Sequence, residues 1–466
     1  MTYNAVSPNV LAQFKSILEE QYIINAEKEE FQQYCQDQTE DLVFYPEIVL
    51  KPGSADEISQ IMKICNEHQI AVTPRGAGTG LSGGALPVHQ GVIISTERLN
   101  KIIEIDERNF QSTVEPGVIN QVFQEAVKER GLFYPPDPAS KGSCFLGGNL
   151  SLSAGGPKAV KYGVTKDYVL NIQVVLPSGE IIWTGANVLK NATGYNLTQL
   201  MIGSEGTLGI ITKIVFRLIP FPAHTIVLLV PFRKEEEACA AVSKIMMAGI
   251  VPSGLEFMER EAILWSANYL KISMVVPDDI QAHLLIELDG NNLERLYQEA
   301  EHVYEVVGQF NIGEVLLADS EAQKNELWKI RRNIGNALRA STVCKDEDTV
   351  VPRAELPALL KGVKEIGNRY NFKTVCLGHA GDGNLHVNVI KGDMSDFDWQ
   401  NTVPKGIHEI FELCVKLGGT ISGEHGIGFV QRPFIGIALS DIHINLMRGI
   451  KQVFDPKGIL NPGKIF

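Results

Sequence analysis

Apolar positions along the first third of the chain switch between helical and strand spacing. Ile58, Ile61, Met62 and Cys65 fall at i, i+3, i+4 and i+7, one face of a helix that Ser54 and Glu57 would open as a capping box. Short runs with β-branched residues at 70–73, 91–95 and 111–114 predict strands, and a second helical stretch over 118–130 stops at Gly131. Strands at 168–176, 180–183 and 209–218 lead to Pro220 and Pro222, where the pattern breaks and a domain boundary is expected. From Thr225 the rhythm is strand 225–232, helix 234–248, a strand near 254–258, strand 283–288, helix 292–308, strand 313–318 and helix 320–340. The remainder predicts helix 354–370, strand 373–378, a tight turn, strand 385–390 and helix 401–417.

The fold class expected is α+β, with a first domain over 1–220 and a second over 221–420. The second would be an antiparallel sheet with helices packed on one face, and a C-terminal segment, 421–466, would return to the first. No pattern repeats along the chain. Its longest apolar runs are strand-length, far short of the roughly 20 residues of a membrane span.

Charge and cysteine usage narrow the setting. The balance of 42 basic to 55 acidic residues, net −13, argues against a nucleic-acid or anionic-membrane partner. Seven cysteines stand far apart with no C-x-x-C pair, which excludes a self-contained iron–sulfur cluster or zinc ribbon and suggests a reducing compartment. The N-terminus carries no basic stretch followed by an apolar core, so a cytoplasmic protein is expected, one that meets any membrane through a partner.

Glycine is the unusual component: 23 of the 43 glycines fall in clusters at 76–84, 142–163, 194–209, 378–383 and 418–428. Such clusters mark tight turns or backbone pressed close to a ligand. The first, PRGAGTGLSGG at 74–84, contains a formal G-x-G-x-x-G, but Pro87 and another strand follow where a dinucleotide-binding loop must open a helix. Its consecutive N–H groups suit an anion-holding nest, with Arg75, Thr79 and Ser82 to assist; a plain surface turn is the alternative.

Two histidines flank a Gly-Asp-Gly turn in HAGDGNLH, 379–386. The turn predicts a hairpin that sets one imidazole at the end of each strand, and Glu424 in GEHGIG, 423–428, is a third donor for an open divalent-metal site. A pair of surface histidines is the plainer reading, and Asp382 within the turn would stabilise its own backbone. In helix 320–340, Leu327, Arg331, Ile334 and Leu338 share a face, so Arg331 lies with the apolar stripe. A buried guanidinium needs an anion, either a structural carboxylate or a substrate carboxylate held bidentately. Lys345 is a second, weaker candidate for that task.

In order, PRGAGTGLSGG, YPPDPAS (134–140), GGNLSLSAGG (147–156) and GSEGTLGIIT (203–212) resemble the FAD-binding domain of the vanillyl-alcohol oxidase and p-cresol methylhydroxylase superfamily. HAGDGNLH, GEHGIG and DPKGILNPGK (455–464) extend the resemblance to the FAD-linked D-2-hydroxyacid dehydrogenases, which include D-lactate dehydrogenase, the flavin subunit of glycolate oxidase and D-2-hydroxyglutarate dehydrogenase.

The resemblance implies that Arg75, Gly76, Ala77, Gly78, Thr79, Gly80 and Ser82 line the FAD pyrophosphate. It implies that Pro136, Asp137, Ser140, Gly147, Gly148, Asn149, Ser153 and Gly156 contact the flavin and ribityl parts, Glu205 and Ile210 the adenosine side, and Asn461 the isoalloxazine. No histidine stands in 74–84 to carry a covalent link, so the FAD is expected to be noncovalent, with Cys144 a buried structural thiol.

The same resemblance implies that His379, His386 and Glu424 bind a divalent metal, zinc first, with Fe2+ or Mn2+ as alternatives. His425 would be the catalytic base, and Arg331 would hold the carboxylate. The implied reaction is oxidation of a small D-2-hydroxyacid to the 2-oxoacid, with electrons leaving to a quinone, a flavoprotein or a partner subunit. A homodimer is the assembly expected. D-2-hydroxyglutarate is the alternative substrate, although Gly335 stands where some hydroxyglutarate enzymes carry a hydroxyl residue. A metallohydrolase without flavin and a catalytically silent flavin subunit are the alternatives from other classes.

Overall fold

The computed structural model describes residues 2–466 and divides into two compact units. The first comprises the chain up to Gly155, Val164–Phe221 and Glu424–Phe466; the second comprises Gly156–Gly163 and Pro222–Gly423. Among the described residues no helix is long and apolar enough to cross a membrane.

In the first unit, helix Ala55–His68 begins as its sequence predicts: Ser54 Oγ accepts the N–H of Glu57 at 3.1 Å. The Glu57 carboxylate closes back on Gly53 N at 2.6 Å rather than on the cap residue itself. Its apolar face buries Ile58, Ile61, Met62 and Cys65 against Val72, Val92 and Ile94, and Ile459 and Leu460 complete that core. Each such aliphatic side chain stabilises the fold by roughly 1.5–3 kcal/mol.

The sheet beneath runs Ile23–Ile24, Ile48–Leu50, Val92–Ser95, Val72–Arg75, parallel among the last three. The C-terminal segment adds to its edge: Val72 N donates to Ile459 O at 2.8 Å and Asn461 N to Val72 O at 2.7 Å. A second sheet of five antiparallel strands, Ile102–Asp106, Gln111–Val114, Ile210–Arg217, Val169–Val175 and Ile181–Trp183, completes the unit.

The second unit is built on seven antiparallel strands in the order Leu316–Ala318, His224–Phe232, Ala282–Gly290, Gly254–Glu259, Lys373–Gly378, Asn384–Ile390, Cys344–Val350. Helices cover both faces, where the sequence pattern predicts one. Met258 packs with Ala262, Ile263, Ile334 and Leu338, while its neighbour Glu259, pointing the other way, pairs with Lys364 of helix Leu356–Tyr370 at 2.6 Å.

The predicted helix 320–340 is two helices, Glu321–Arg332 and Ile334–Ser341. They part at Asn333, whose side chain donates to Lys329 O at 2.8 Å and competes with the helical ladder. The apolar stripe survives the break, for Leu327, Arg331, Ile334 and Leu338 are all buried.

Residues 156–163 join the second unit through charge. Lys158 pairs with Glu287, which also accepts Ser253 Oγ at 2.7 Å and Trp328 Nε1 at 2.8 Å. Lys161 Nζ lies 2.5 Å from Asp289 Oδ1, and the Tyr162 hydroxyl donates to Asp289 Oδ2 at 2.8 Å. Gly156, expected among the flavin contacts, therefore belongs to a segment anchored in the second unit.

Candidate active site

The glycine clusters of the first unit converge. A side chain at Gly76 would meet Phe145 and Gly148, one at Gly206 would meet Pro74 and Asn461, and one at Gly428 would strike Ser82. At Gly80, Gly84 and Gly148, by contrast, a Cβ would meet nothing within 4 Å, so backbone there faces open space. Asn461 Nδ2 ties two clusters together, donating to Gly84 O at 3.1 Å and Glu205 O at 2.7 Å.

Three buried polar atoms around these loops have no hydrogen-bond partner among the described residues: Arg75 Nη1, Ser153 Oγ and Asn461 Oδ1. A cationic donor, a hydroxyl and an amide oxygen, set among open glycines, fit a ligand that carries phosphate at one end and polar ring atoms at the other. FAD carries groups of both kinds.

The expected cofactor residues divide by what their side chains do. Arg75 Nη2 donates to Gln33 O at 2.8 Å and Gln36 O at 2.9 Å, so half of its guanidinium braces the segment before the strand. Ala77 and Thr79 lie half-buried in the loop, and Ser82 Oγ donates to His425 O at 2.9 Å. The Pro136 carbonyl accepts from Asn120 and Gln124, Asp137 pairs with Lys141 at 3.7 Å, and Asn149 donates to Asn120 Oδ1 at 3.1 Å. Gly147 packs against Pro116, and the Ser140 carbonyl accepts Cys144 N at 2.8 Å. Cys144 is buried and free, its thiol pushed up by burial.

Two of the expected residues turn their side chains to protein. The side chain of Ile210 is core, packed with the aliphatic cluster of the first unit. Glu205, expected on the adenosine side, turns its carboxylate to the N–H groups of Ile427 at 2.8 Å and Gly428 at 2.6 Å. Burial pushes that carboxyl up to about 7, against the pull of those two amides and of Lys464.

In the second unit the predicted hairpin is present, with Leu377 opposite His386 and the 380–382 turn between the strands. Asn384 N donates to Asp382 Oδ1 at 3.3 Å, the local backbone role expected of that aspartate. The rings of His379 and His386 lie edge to face, 5.6 Å apart, and both are buried. His379 Nδ1 is 2.8 and 2.9 Å from the two oxygens of Glu256, so the carboxylate takes up that nitrogen. His386 Nδ1 lies 3.7 Å from Asp346 and 4.0 Å from Asp348. Two imidazoles at this separation suit a divalent ion of the borderline-soft class.

Arg331 reaches the same carboxylate, with Nη2 2.5 Å from Glu256 Oε2, and its Nε has no partner among the described residues. Burial alone would push the Glu256 carboxyl up, but Arg331 and His379 beside it hold it below the usual carboxylate range.

Lys345 is removed from the site. It alternates to the opposite face of its strand from Asp346 and Asp348, and its ammonium sits 5.6 Å from the Trp399 ring. Sequence reasoning missed Glu256 and Asp348. Asp348 accepts Asn384 Nδ2 and the backbone N–H of Gly423, both at 2.8 Å, and Ser422 Oγ at 2.9 Å. It thereby fixes the residue that precedes Glu424. The expected metal donors are divided, His379 and His386 in the second unit and Glu424 at the start of the last segment of the first.

Residues 221–465 match the C-terminal domain of the FAD linked oxidases, and residues 46–185 match an FAD binding domain. The D-lactate dehydrogenase of Anaerostipes hadrus is 40% identical, over 99% of this chain and 98% of that protein. The glycolate oxidase subunit GlcD of Bacillus subtilis is also 40% identical, over 93% of this chain and 92% of its own. Among solved structures, p-cresol methylhydroxylase with substrate bound shares the fold, with a TM-score of 0.79 at 18% identity over 98% of this chain and 96% of that one. The architecture is thus the α+β flavoprotein fold that the motifs imply, and the chain belongs to the FAD-linked oxidases as an FAD-dependent oxidoreductase.

Proposed function

We propose that the protein oxidises a small D-2-hydroxyacid of the lactate or glycolate type to its 2-oxoacid, using noncovalent FAD and a divalent ion. The observation that carries this reading is the 40% identity, along nearly the whole chain, to a protein named D-lactate dehydrogenase. The absence of histidine from the 74–84 loop favours noncovalent attachment of the flavin.

Bound FAD supplies the acceptor for the electron pair and the α-hydrogen. His379, His386 and Glu424 would hold the divalent ion, whose charge would acidify the substrate hydroxyl. The chain's own tasks are to orient and to move one proton. His425 removes the hydroxyl proton as general base, an imidazole being the side-chain type matched to proton transfer near neutrality. The Arg331 Nε, left unmatched by protein, takes the substrate carboxylate while Glu256 keeps hold of Nη2. The electrons then leave to an external quinone, flavoprotein or partner subunit.

The test is anaerobic titration of the FAD-loaded protein with D-lactate, glycolate and D-2-hydroxyglutarate, followed at the flavin absorption band. Bleaching by either of the first two is the expected result. Bleaching by D-2-hydroxyglutarate alone would move the substrate assignment, and bleaching by none would make the chain a silent flavin subunit.

A further inference from the structure

We propose that Glu256 is a positioning residue that dictates which ring nitrogen His379 offers to the metal. The inference rests on the metal reading above, and it assigns a task to a side chain outside the donor set.

The geometry follows from strand register. Phe257 lies opposite Gly378 and Met258 opposite Leu377 across the antiparallel pair, so the next step of the ladder sets Glu256 against His379. Glu256 is fully buried on a strand otherwise composed of Gly254, Leu255, Phe257, Met258 and Glu259. Both of its oxygens lie within hydrogen-bond distance of the same atom, His379 Nδ1, at 2.8 and 2.9 Å. Arg331 engages the other side of the carboxylate at 2.5 Å.

A carboxylate flanked by a guanidinium accepts rather than donates, so the hydrogen of the contact belongs to His379 Nδ1 and the lone pair to Nε2. The ring is held in that orientation before any ion arrives. Outer-shell carboxylates on ligating histidines raise ligand basicity and fix the tautomer, and removing one typically weakens metal binding by about 10–100-fold. The competing account is that Glu256 only neutralises buried Arg331, in which case His379 would bind an ion equally well without it.

The test uses full-length, FAD-loaded protein, stripped by chelator and titrated with Zn2+ against a chromophoric chelator. Wild type is compared with E256Q, R331M, E256Q/R331M and H386A, with thermal melting recorded for each. The double variant removes the buried pair together, so no charge is stranded and the fold is kept even where E256Q alone is unstable. The expected result is Zn2+ affinity about 10–100-fold weaker in E256Q and in the double variant, with R331M close to wild type. Wild-type affinity in the double variant, alongside loss of Zn2+ in H386A, would overturn the role of Glu256 and leave the metal reading standing. Wild-type affinity in H386A as well would overturn the metal reading and this inference with it.

Discussion

Glu205 accepts the backbone N–H of Gly428 at 2.6 Å, a contact between a glycine-rich turn and a loop 223 residues further along the chain. The same carboxylate takes Ile427 N at 2.8 Å, and the Glu205 carbonyl is in turn held by Asn461 at 2.7 Å. The loop carrying His425 is thus fastened by a residue of the glycine-rich 203–212 turn. Replacing Glu205 with Ala would strand two N–H donors, at a cost of about 3 kcal/mol. E205A is expected to melt lower and to show slower reduction of its flavin by substrate, with E205Q, which keeps one acceptor oxygen, in between. Equal melting and equal reduction rates in all three proteins would contradict the brace.

Gly78 and Gly80 stand two residues apart with different demands on them. Gly78 has φ +72°, and a Cβ there would lie 2.3 Å from Arg75 Nη2. A side chain costs about 1–2 kcal/mol in that backbone region before the clash is counted. At Gly80 the space is open. G78A should therefore lower the melting temperature even of flavin-free protein, whereas G80A should melt normally without flavin and lose FAD on gel filtration, read as the ratio of flavin to protein absorbance. Normal FAD retention in G80A would mean that the open space is not where the cofactor lies.

What the sequence makes legible is whatever is decided locally. Helix Ala55–His68 announces itself through Ser54 and Glu57, and the hairpin around 379–386 through its Gly-Asp-Gly turn. Strand Cys344–Val350 does not, because CKDEDTV reads as a solvated loop. Its Asp348 is made burial-compatible by Asn384, Ser422 and Gly423, which no local pattern connects to it. Glu256 is the same case, 123 residues from His379 in the chain. One signal was available, two carboxylates within a short, otherwise apolar run (GLEFME, 254–259), each of which must find a cationic or donor partner if buried. The role of Arg331 was open between a structural carboxylate and a substrate, and its position beside Glu256 with Nε unmatched supports a share in both.

His283 supplies a pH dependence. It is buried in strand Ala282–Gly290, its Nδ1 has no partner among the described residues, and burial lowers its pKa from 6.5 to about 4. The folded protein therefore keeps it neutral where the unfolded chain takes up a proton. The associated stability is present above pH 6.5 and is lost as pH falls through about 4, up to about 3 kcal/mol. Chemical denaturation between pH 7 and pH 4 should show a steeper acid loss in wild type than in H283L, which has nothing to titrate. Parallel acid limbs in the two proteins would remove His283 as the cause.

His425 can be tested in a loop that backbone contacts help to hold. Ser82 Oγ donates to the His425 carbonyl at 2.9 Å, the Ser82 carbonyl accepts Phe429 N at 2.8 Å, and Glu205 takes Ile427 and Gly428. None of these uses the imidazole, so H425A should retain FAD with its normal absorption band and melt close to wild type. Loss of a general base lowers the rate of the proton-transfer step by about 10²–10⁴-fold. Stopped-flow mixing with the preferred 2-hydroxyacid under anaerobic conditions should therefore show flavin reduction slowed by that factor in H425A, with the protein still yellow. Reduction at the wild-type rate would assign the proton to another group and dismiss His425 as the base.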